Sequence, residues 1–558
     1  MINRRWSLLE FKTSSNHLVV FGVALMLFLF NYQSCYSELK TYSSPGDLSN
    51  VPHLKESTDY TVKVNGESSF VYESDNSWDG DGIESSRKKE DKASFTNFDF
   101  KNESVTVEVT CNFTVNSLII RPKNDSISFT QIGNTISFTL SKSKYLSIEV
   151  NDRLRPLFIF ADSLETAPNA AITYGPGIHN IGTKFQVSGN QTIYIAGGAV
   201  VVGSFYCSGN NLKICGRGIL NCGSVLSAEW DLDHTKSPLA AVTTLAGYEL
   251  NGFTIVNSPG WHVNAYGSNT KFINLKCIAW AGLSDGPHLN GNSLMKHCFI
   301  FNNDDALISN IGNNNTFRNC VVWKGPYGRC MISLQNNSQS TLLWEDIDII
   351  GNESLLGNLK GKTIAIIETT AGIKQNFTFR NIRIEGQAAD KAGLIYIDSE
   401  GSSEIKNIYL DNITTELLRT SAVNTEGTIN QATGGRIDGI HFKCVKMDGA
   451  LINSLTDAHV QMTGGVLNID FDNTSCTNTL IKKVCDNNKL RVYSNQYNKL
   501  QVDLDDIKIK NISLFNSIGN NVKSGRLTDI EVSNLPVGVY IVQAEAEGIH
   551  YFCKFIKQ

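Results

Sequence analysis

Short runs of β-branched and aromatic residues, broken by Asn and Gly, recur every 20 to 30 residues or so from about 170 to 480. Gln191-Thr192-Ile193-Tyr194-Ile195, Asn211-Leu212-Lys213-Ile214-Cys215, Phe379-Arg380-Asn381-Ile382-Arg383-Ile384 and Ile405-Lys406-Asn407-Ile408-Tyr409-Leu410 are examples. A repeat of this length with strands and no helical periodicity cannot bury its apolar side chains alone. It must stack on copies of itself, which predicts a parallel β-helix. Recurrent Asn suits the turns, because it tolerates left-handed backbone and can bond along the stack. Cys277, Cys298 and Cys320, 21 and 22 residues apart, read as buried small side chains on successive rungs.

The flanks follow other rules. From 38 to 170, runs such as Tyr60-Thr61-Val62-Lys63-Val64 and Leu146-Ser147-Ile148-Glu149-Val150 alternate apolar and polar side chains, which predicts half-buried antiparallel strands of an N-terminal β-sandwich. The charged stretch from Asp75 to Lys92 reads as an exposed loop within it. The β-helix is expected over 171–484, and a compact set of strands over 485–558 forms a small C-terminal β-sandwich. The expected fold class is therefore all-β.

Residues 1–37 carry Arg4 and Arg5 ahead of an apolar run from Leu18 to Phe30. Thirteen apolar residues fit a signal peptide and are short for a stable membrane span, so the protein is expected to be secreted or held at the cell surface. Cys35 as a lipidation site is the lesser reading, since Tyr32 stands where such sites want an aliphatic residue. Thirteen cysteines in an exported chain would suit disulfides, whose pattern the sequence does not fix. A net charge of −5 with no long basic run argues against nucleic acid as a partner. A monomer is the default.

Three aspartates carry the chemistry. Asp285 stands eight residues past Cys277, and Asp304 and Asp305 stand six and seven past Cys298, so all three fall at one turn of successive rungs. Adjacent rungs are about 4.8 Å apart. Trp261 and His262 fall at the same turn one rung earlier, counting from Phe253, and Tyr327 one rung later. Inverting glycoside hydrolysis needs one carboxylic acid to protonate the leaving oxygen and another carboxylate to activate water. Crowding three acids favours a proton retained among them. Successive side chains alternate in an extended strand, so Asp304 and Asp305 can both take part only if the backbone bends between them. A structural turn and a calcium site are the alternatives for the trio.

Residues from about 55 to 430 resemble glycoside hydrolase family 49, the dextranase and isopullulanase family related to the family 28 polygalacturonases. The matching pieces are Arg155-Pro156-Leu157-Phe158-Ile159-Phe160-Ala161-Asp162, Tyr174-Gly175-Pro176-Gly177, Ile193 to Val201, Ile214-Cys215-Gly216-Arg217-Gly218-Ile219-Leu220, Asp285-Gly286, Asn303-Asp304-Asp305 and Trp323-Lys324. The resemblance implies a right-handed β-helix behind a β-sandwich and inverting hydrolysis of an α-glucan such as dextran, without a metal or other cofactor. Asp304 is then the general acid, with Asp285 and Asp305 activating water. Ala306-Leu307-Ile308-Ser309-Asn310 and Ser333-Leu334-Gln335 depart from the family pattern and leave the substrate open. The Gly-His-Gly and Arg-x-Lys of family 28 are missing at the corresponding places, which disfavours galacturonan. Residues 485 to 558 resemble the C-terminal sorting domain of type IX secretion, implying that machinery as a partner.

Trp261, His262, His288, Trp323, Lys324 and Tyr327 are candidates for contact with a polysaccharide, either as sugar platforms or through hydroxyl contacts. The rival class is a β-helix without catalysis, acting as a glycan-binding module or adhesin.

Overall fold

The computed structural model describes residues 38–75, 92–101, 104–242, 246–325, 327–334, 338–353, 362–368, 371–387, 393–399, 401–417, 427–474, 476, 483–487, 490–494, 499–504, 509–516, 519–525, 529–532, 534–536, 538–546 and 549–557. The signal segment with Cys35, and most of the charged stretch after Asp75, lie outside the described residues. Packing divides the chain into one unit of Met1–Ile308 with Asn319–Gly328 and another of Ser309–Arg318 with Arg329–Gln558.

The first unit opens with two sheets. One runs in the order Leu54–Glu56, Tyr72–Asp75, Lys92–Lys101, Leu157–Ser163, Lys144–Val150, Leu118–Arg121, with Glu38–Thr41 added beside Lys92–Lys101. The other runs Glu67–Ser69, Tyr60–Val64, Val105–Cys111, Thr135–Leu140, Phe129–Ile132. Val62, Val107, Phe138, Leu146, Ile148 and Ile159 fill the space between them. Tyr60–Val64 alternates buried and exposed as its sequence demands.

The alternation in Leu146 to Val150 has a different meaning. Ser147 and Glu149 are buried as well, and Lys92–Lys101 and Leu157–Ser163 are buried on both faces. Those two strands also pair in parallel, against the expectation of a purely antiparallel sandwich. Parallel pairs occur where both faces are covered, and here the second face lies on the coil that follows. Phe158 packs against Phe299, Phe301 and Trp323, and the Arg153 guanidinium sits 4.1 Å over the Trp323 ring.

Charged pairs complete this seam. Arg217 Nε donates to Asp99 at 2.8 Å, and Lys276 Nζ donates to Asp162 at 2.5 Å and to the Gly252 carbonyl at 2.7 Å. The Tyr42 and Tyr145 hydroxyls donate to Asp99 and Asp162. Burial would raise both carboxyls. Asp99 is pushed up to about 6, while Lys276 and Arg217 hold Asp162 below its ordinary value.

The coil in this unit is a stack of parallel strands. One column holds Thr192–Ile195, Lys213–Gly216, Glu249–Asn251, Lys271–Ile273 and Leu294–Lys296. The next holds Ala199–Cys207, Ile219–Asn221, Thr254–Val256, Lys276–Ile278, Phe299–Asn302 and Val321–Lys324. Ile255, Cys277, Ile300 and Val322 stack in register, giving rungs of 22 and 23 residues.

The cysteine ladder is thereby corrected. Phe299 pairs with Val321, so Cys298 and Cys320 are in line, but Cys277 pairs with Ile300, two residues further on. Every second position of the strand faces inward, and a small thiol suits any of them, so cysteine spacing alone does not fix register.

Asn at the turns behaves as expected. Asn274, Asn319, Asn376, Asn381, Asn407 and Asn412 have positive φ, and Asn407 and Asn412 donate to Asn376 and Asn381 on the neighbouring rung. His297 occupies such a position, accepting the same backbone while its ring stacks on Tyr145 at 4.3 Å.

The second unit continues the parallel design with longer rungs. Trp344, Phe379, Leu410, Phe442 and Phe471 form one inward column across Gln339–Asn352, Ile373–Gln387, Glu404–Leu417, Arg436–Lys443 and Leu467–Asp472. A second parallel column holds Met331–Ser333, Ile364–Glu368, Ile395–Ser399, Gly427–Gln431 and Val460–Thr463. A disulfide joins Cys444 to Cys476, a pairing the sequence left open. Two four-stranded antiparallel sheets follow, between Lys483 and Lys557.

Candidate active site

The aspartates come together on the first unit's coil. Past Lys276–Ile278 and Phe299–Asn302 the chain leaves the sheet, and a bend at Asn303 and Asp304 interrupts the extended backbone. Alternation therefore no longer forces Asp304 and Asp305 to opposite faces. Asp304 is partly exposed, while Asp305 is 5% exposed. Asp304 Oδ1 accepts the Asp305 N–H at 2.9 Å, which fixes the bend.

Rung pairing is explicit in the backbone. Gly286 N–H donates to Asp305 O at 2.8 Å, and His262 N–H donates to Asp285 O at 3.1 Å. Trp261–His262, Asp285–Gly286 and Asp305–Ala306 are thus neighbours along the stack, as the aspartate spacing implies despite the shifted cysteine. A Cβ on Gly286 would press into the Ala306 carbonyl, and one on Gly328 into the backbone of Asp304 and Asp305. Only glycine lets the turns approach this closely.

Asn302 ties the turns from beneath. Its Nδ2 donates to the carbonyls of Ser284, Asp304 and Asp305 at 2.8, 3.1 and 2.8 Å. Ser284 Oγ accepts the Asn303 N–H, and Asn303 O accepts the Tyr327 N–H at 3.1 Å. The carboxylates thus stand on a hydrogen-bonded base, which preorganises them.

Two histidines flank Asp285. His288 Nε2 lies 3.2 Å from Asp285 Oδ2. Burial pushes its pKa down to about 4, against the pull of Asp305, so the ring is neutral near pH 7 and Nε2 carries the proton donated to the carboxylate. His262 donates through Nδ1 to the Asp285 carbonyl at 2.7 Å and is likewise pushed down to about 4 by burial. Its ring is fully buried, with no hydrogen-bond partner for Nε2 among the described residues. It supports Asp285 from below and offers no surface to a sugar.

The remaining candidates separate in the same way. Trp261 and Tyr327 are partly exposed beside the carboxylates. Trp323 has no exposed surface, because its ring is spent on Phe158, Phe301 and Arg153 in the seam. Lys324 is also fully buried and donates from Nζ to the Gly328 carbonyl at 2.7 Å. Neither serves as a sugar contact in this structure. Among the described residues, no group of three or more His, Cys, Asp or Glu side chains is arranged to hold a metal ion.

The sequence reading missed part of the wall. The short helix Ser227–Leu232 buries Trp230, whose ring lies 4.2 Å from His234 and 5.5 Å from Trp261. Tyr266 meets Trp261 edge-on at 6.5 Å, and His288 lies 5.2 Å from Trp261. The sequence held no periodic signal for this pair, because the helix ends at Leu232 and His234 opens a separate 3-10 turn beyond the non-helical Asp233.

Comparison with known proteins supports the two ends of this description. Residues 487–558 match the family model of the secretion system C-terminal sorting domain, so the protein is exported through type IX secretion or attached at the cell surface. Dex49A from Penicillium minioluteum overlays with a TM-score of 0.53 at 16% identity, covering 77% of this chain and 96% of its own. The Yersinia enterocolitica family 28 exopolygalacturonase covers 78% and 97% at 12% identity, with a TM-score of 0.25. No curated protein sequence matches the chain. The fold is that of the right-handed parallel β-helix proteins.

Proposed function

We propose that this protein is an exported glycoside hydrolase that cleaves a neutral α-glucan of the dextran type with inversion, in the manner of glycoside hydrolase family 49. The observation that carries the reading is the placement of Asp285, Asp304 and Asp305 at one turn of two bonded rungs, with Trp261 and Tyr327 alongside. Asp304, the most exposed of the three, protonates the leaving oxygen. Asp285 and Asp305, on adjacent rungs, bind and deprotonate the attacking water. His288 orients Asp285 through its Nε2–H. The Trp261 ring offers an apolar face to a sugar unit.

Burial of Lys324 weighs against an acidic polymer, because this lysine presents no charge to a galacturonate carboxylate. The similarity in fold to Dex49A supports the β-helix scaffold on which the reading depends.

Incubation with dextran, pullulan and polygalacturonate, with reducing ends measured, tests it. Activity on dextran that survives a chelator and is lost in Asp304→Asn supports the reading. Inactivity on all three polymers would sink it.

A further inference from the structure

The second unit carries a recess of its own, of about 390 Å³, which shares no residue with the carboxylate stripe. It opens on the outer face of the strands Ile373–Gln387, Glu404–Leu417, Arg436–Lys443 and Leu467–Asp472. Two outward columns build it. Thr378, Tyr409, His441 and Asp470 stand in register in one, and Asp411, Lys443 and Asp472 in the other.

The first column is an aromatic step. The Tyr409 and His441 rings are stacked with centroids 4.8 Å apart and 16° between planes, the spacing of adjacent strands, so both stand upright on the sheet. His441 Nδ1 and Asp470 Oδ2 are 2.5 Å apart, which holds the imidazole in place. One face of Tyr409 is covered by His441. On the other side its neighbour in register is the short Thr378, and Tyr409 is 42% exposed. A large aromatic side chain is thus held rigid with one face toward open space.

The second column supplies polar groups at the foot of that face. The recess is lined by Asp411, Asp470 and Asp472 against the single Lys443, so it does not attract an anionic polymer. Donors and acceptors side by side suit hydroxyl groups, which both give and accept hydrogen bonds. An apolar face edged by such groups matches the apolar face and hydroxyl rim of a neutral sugar ring.

We propose that this recess is a second glycan-binding site, in which a sugar unit of a neutral polysaccharide stacks on Tyr409 above Thr378 and hydrogen-bonds to Asp411 and Lys443. The proposal rests on the reading of the protein as one that works on such a polymer. The site holds the chain on its substrate and performs no chemistry.

The test uses the full chain in affinity electrophoresis through gels containing dextran or pullulan, alongside hydrolysis of the polymer and of a short oligosaccharide. Tyr409→Ala is expected to weaken retention about tenfold, Tyr409→Phe to restore it, and hydrolysis of the short substrate to stay unchanged. An unchanged unfolding midpoint shows that Tyr409→Ala is folded. Retention that is the same in Tyr409→Ala and wild type, or no retention of wild type on either polymer, overturns the second site. Loss of retention in Tyr409→Ala together with no hydrolysis by wild type would leave the second site standing and remove the hydrolase reading instead.

Discussion

Two groups of buried or half-buried aspartates in the same unit make different contacts. In the seam between sandwich and coil, Asp99 and Asp162 meet Arg217, Lys276 and two tyrosine hydroxyls. On the stripe, Asp285 meets a neutral histidine, and Asp304 accepts a backbone N–H. A carboxylate matched to a buried cation is committed to that pair, because removing either partner strands a charge. A neutral donor such as His288 orients a carboxylate without adding a positive charge that would oppose its protonation. The first arrangement holds domains together, and the second suits chemistry.

The comparison can be broken in order of effect. Asp285→Asn and Asp305→Asn should each lower kcat on the polymer by about 10²–10⁴-fold, with an unfolding midpoint close to wild type. A large drop in stability with activity per folded molecule retained would move these residues to the structural group. Lys276→Met should do the reverse. It leaves Asp162 buried without its nearest cation and should cost about 3–5 kcal/mol in chemical denaturation, while kcat per folded molecule holds.

Acid should probe both regions. His262, His288 and His297 are each pushed down to about 4 by burial, whereas in the unfolded chain they protonate near 6.5. Between those values the unfolded chain binds more protons, so stability is full above about pH 6.5 and falls as pH drops toward 4. The slope should be on the order of 1 kcal/mol per pH unit for each histidine, read from urea titrations at several pH values. His297→Asn, which places the residue common at this turn under Tyr145, should flatten the slope. A slope unchanged by that substitution would show that His297 does not titrate with folding. The smallest effect belongs to Trp261→Ala, expected to raise KM about threefold to tenfold with little change in kcat. Trp323→Phe, within the seam, should leave KM alone and lower stability.

Much of this was legible in the sequence, for reasons that differ by residue. The repeat of strand-forming runs and Asn turns specified the coil because each rung can bury its apolar side chains only on another. The aspartate spacing survived a ladder misaligned at Cys277, because the turns holding Asp285 and Asp305 are set by their own backbone bonds and not by the upstream thiols. What was not legible was burial. Trp323 and Lys324 follow the stripe in sequence, but alternation sends them into the seam and beneath Gly328. Asp162 and Arg217, part of the family-like segments, pair across the seam at 3.7 Å and so belong to structure. Polar Ser147 and Glu149 looked solvent-facing because the sequence of one sandwich strand says nothing of what covers its second face.

The central claim is that Asp304 donates the proton to the leaving oxygen. Its most direct test compares wild type and Asp304→Asn on the polymer and on a glycosyl fluoride of the same sugar, whose leaving group needs little protonation. The account predicts that Asp304→Asn loses about 10²–10⁴-fold on the polymer and far less on the fluoride. Equal losses on both substrates, or no loss on the polymer, would contradict it.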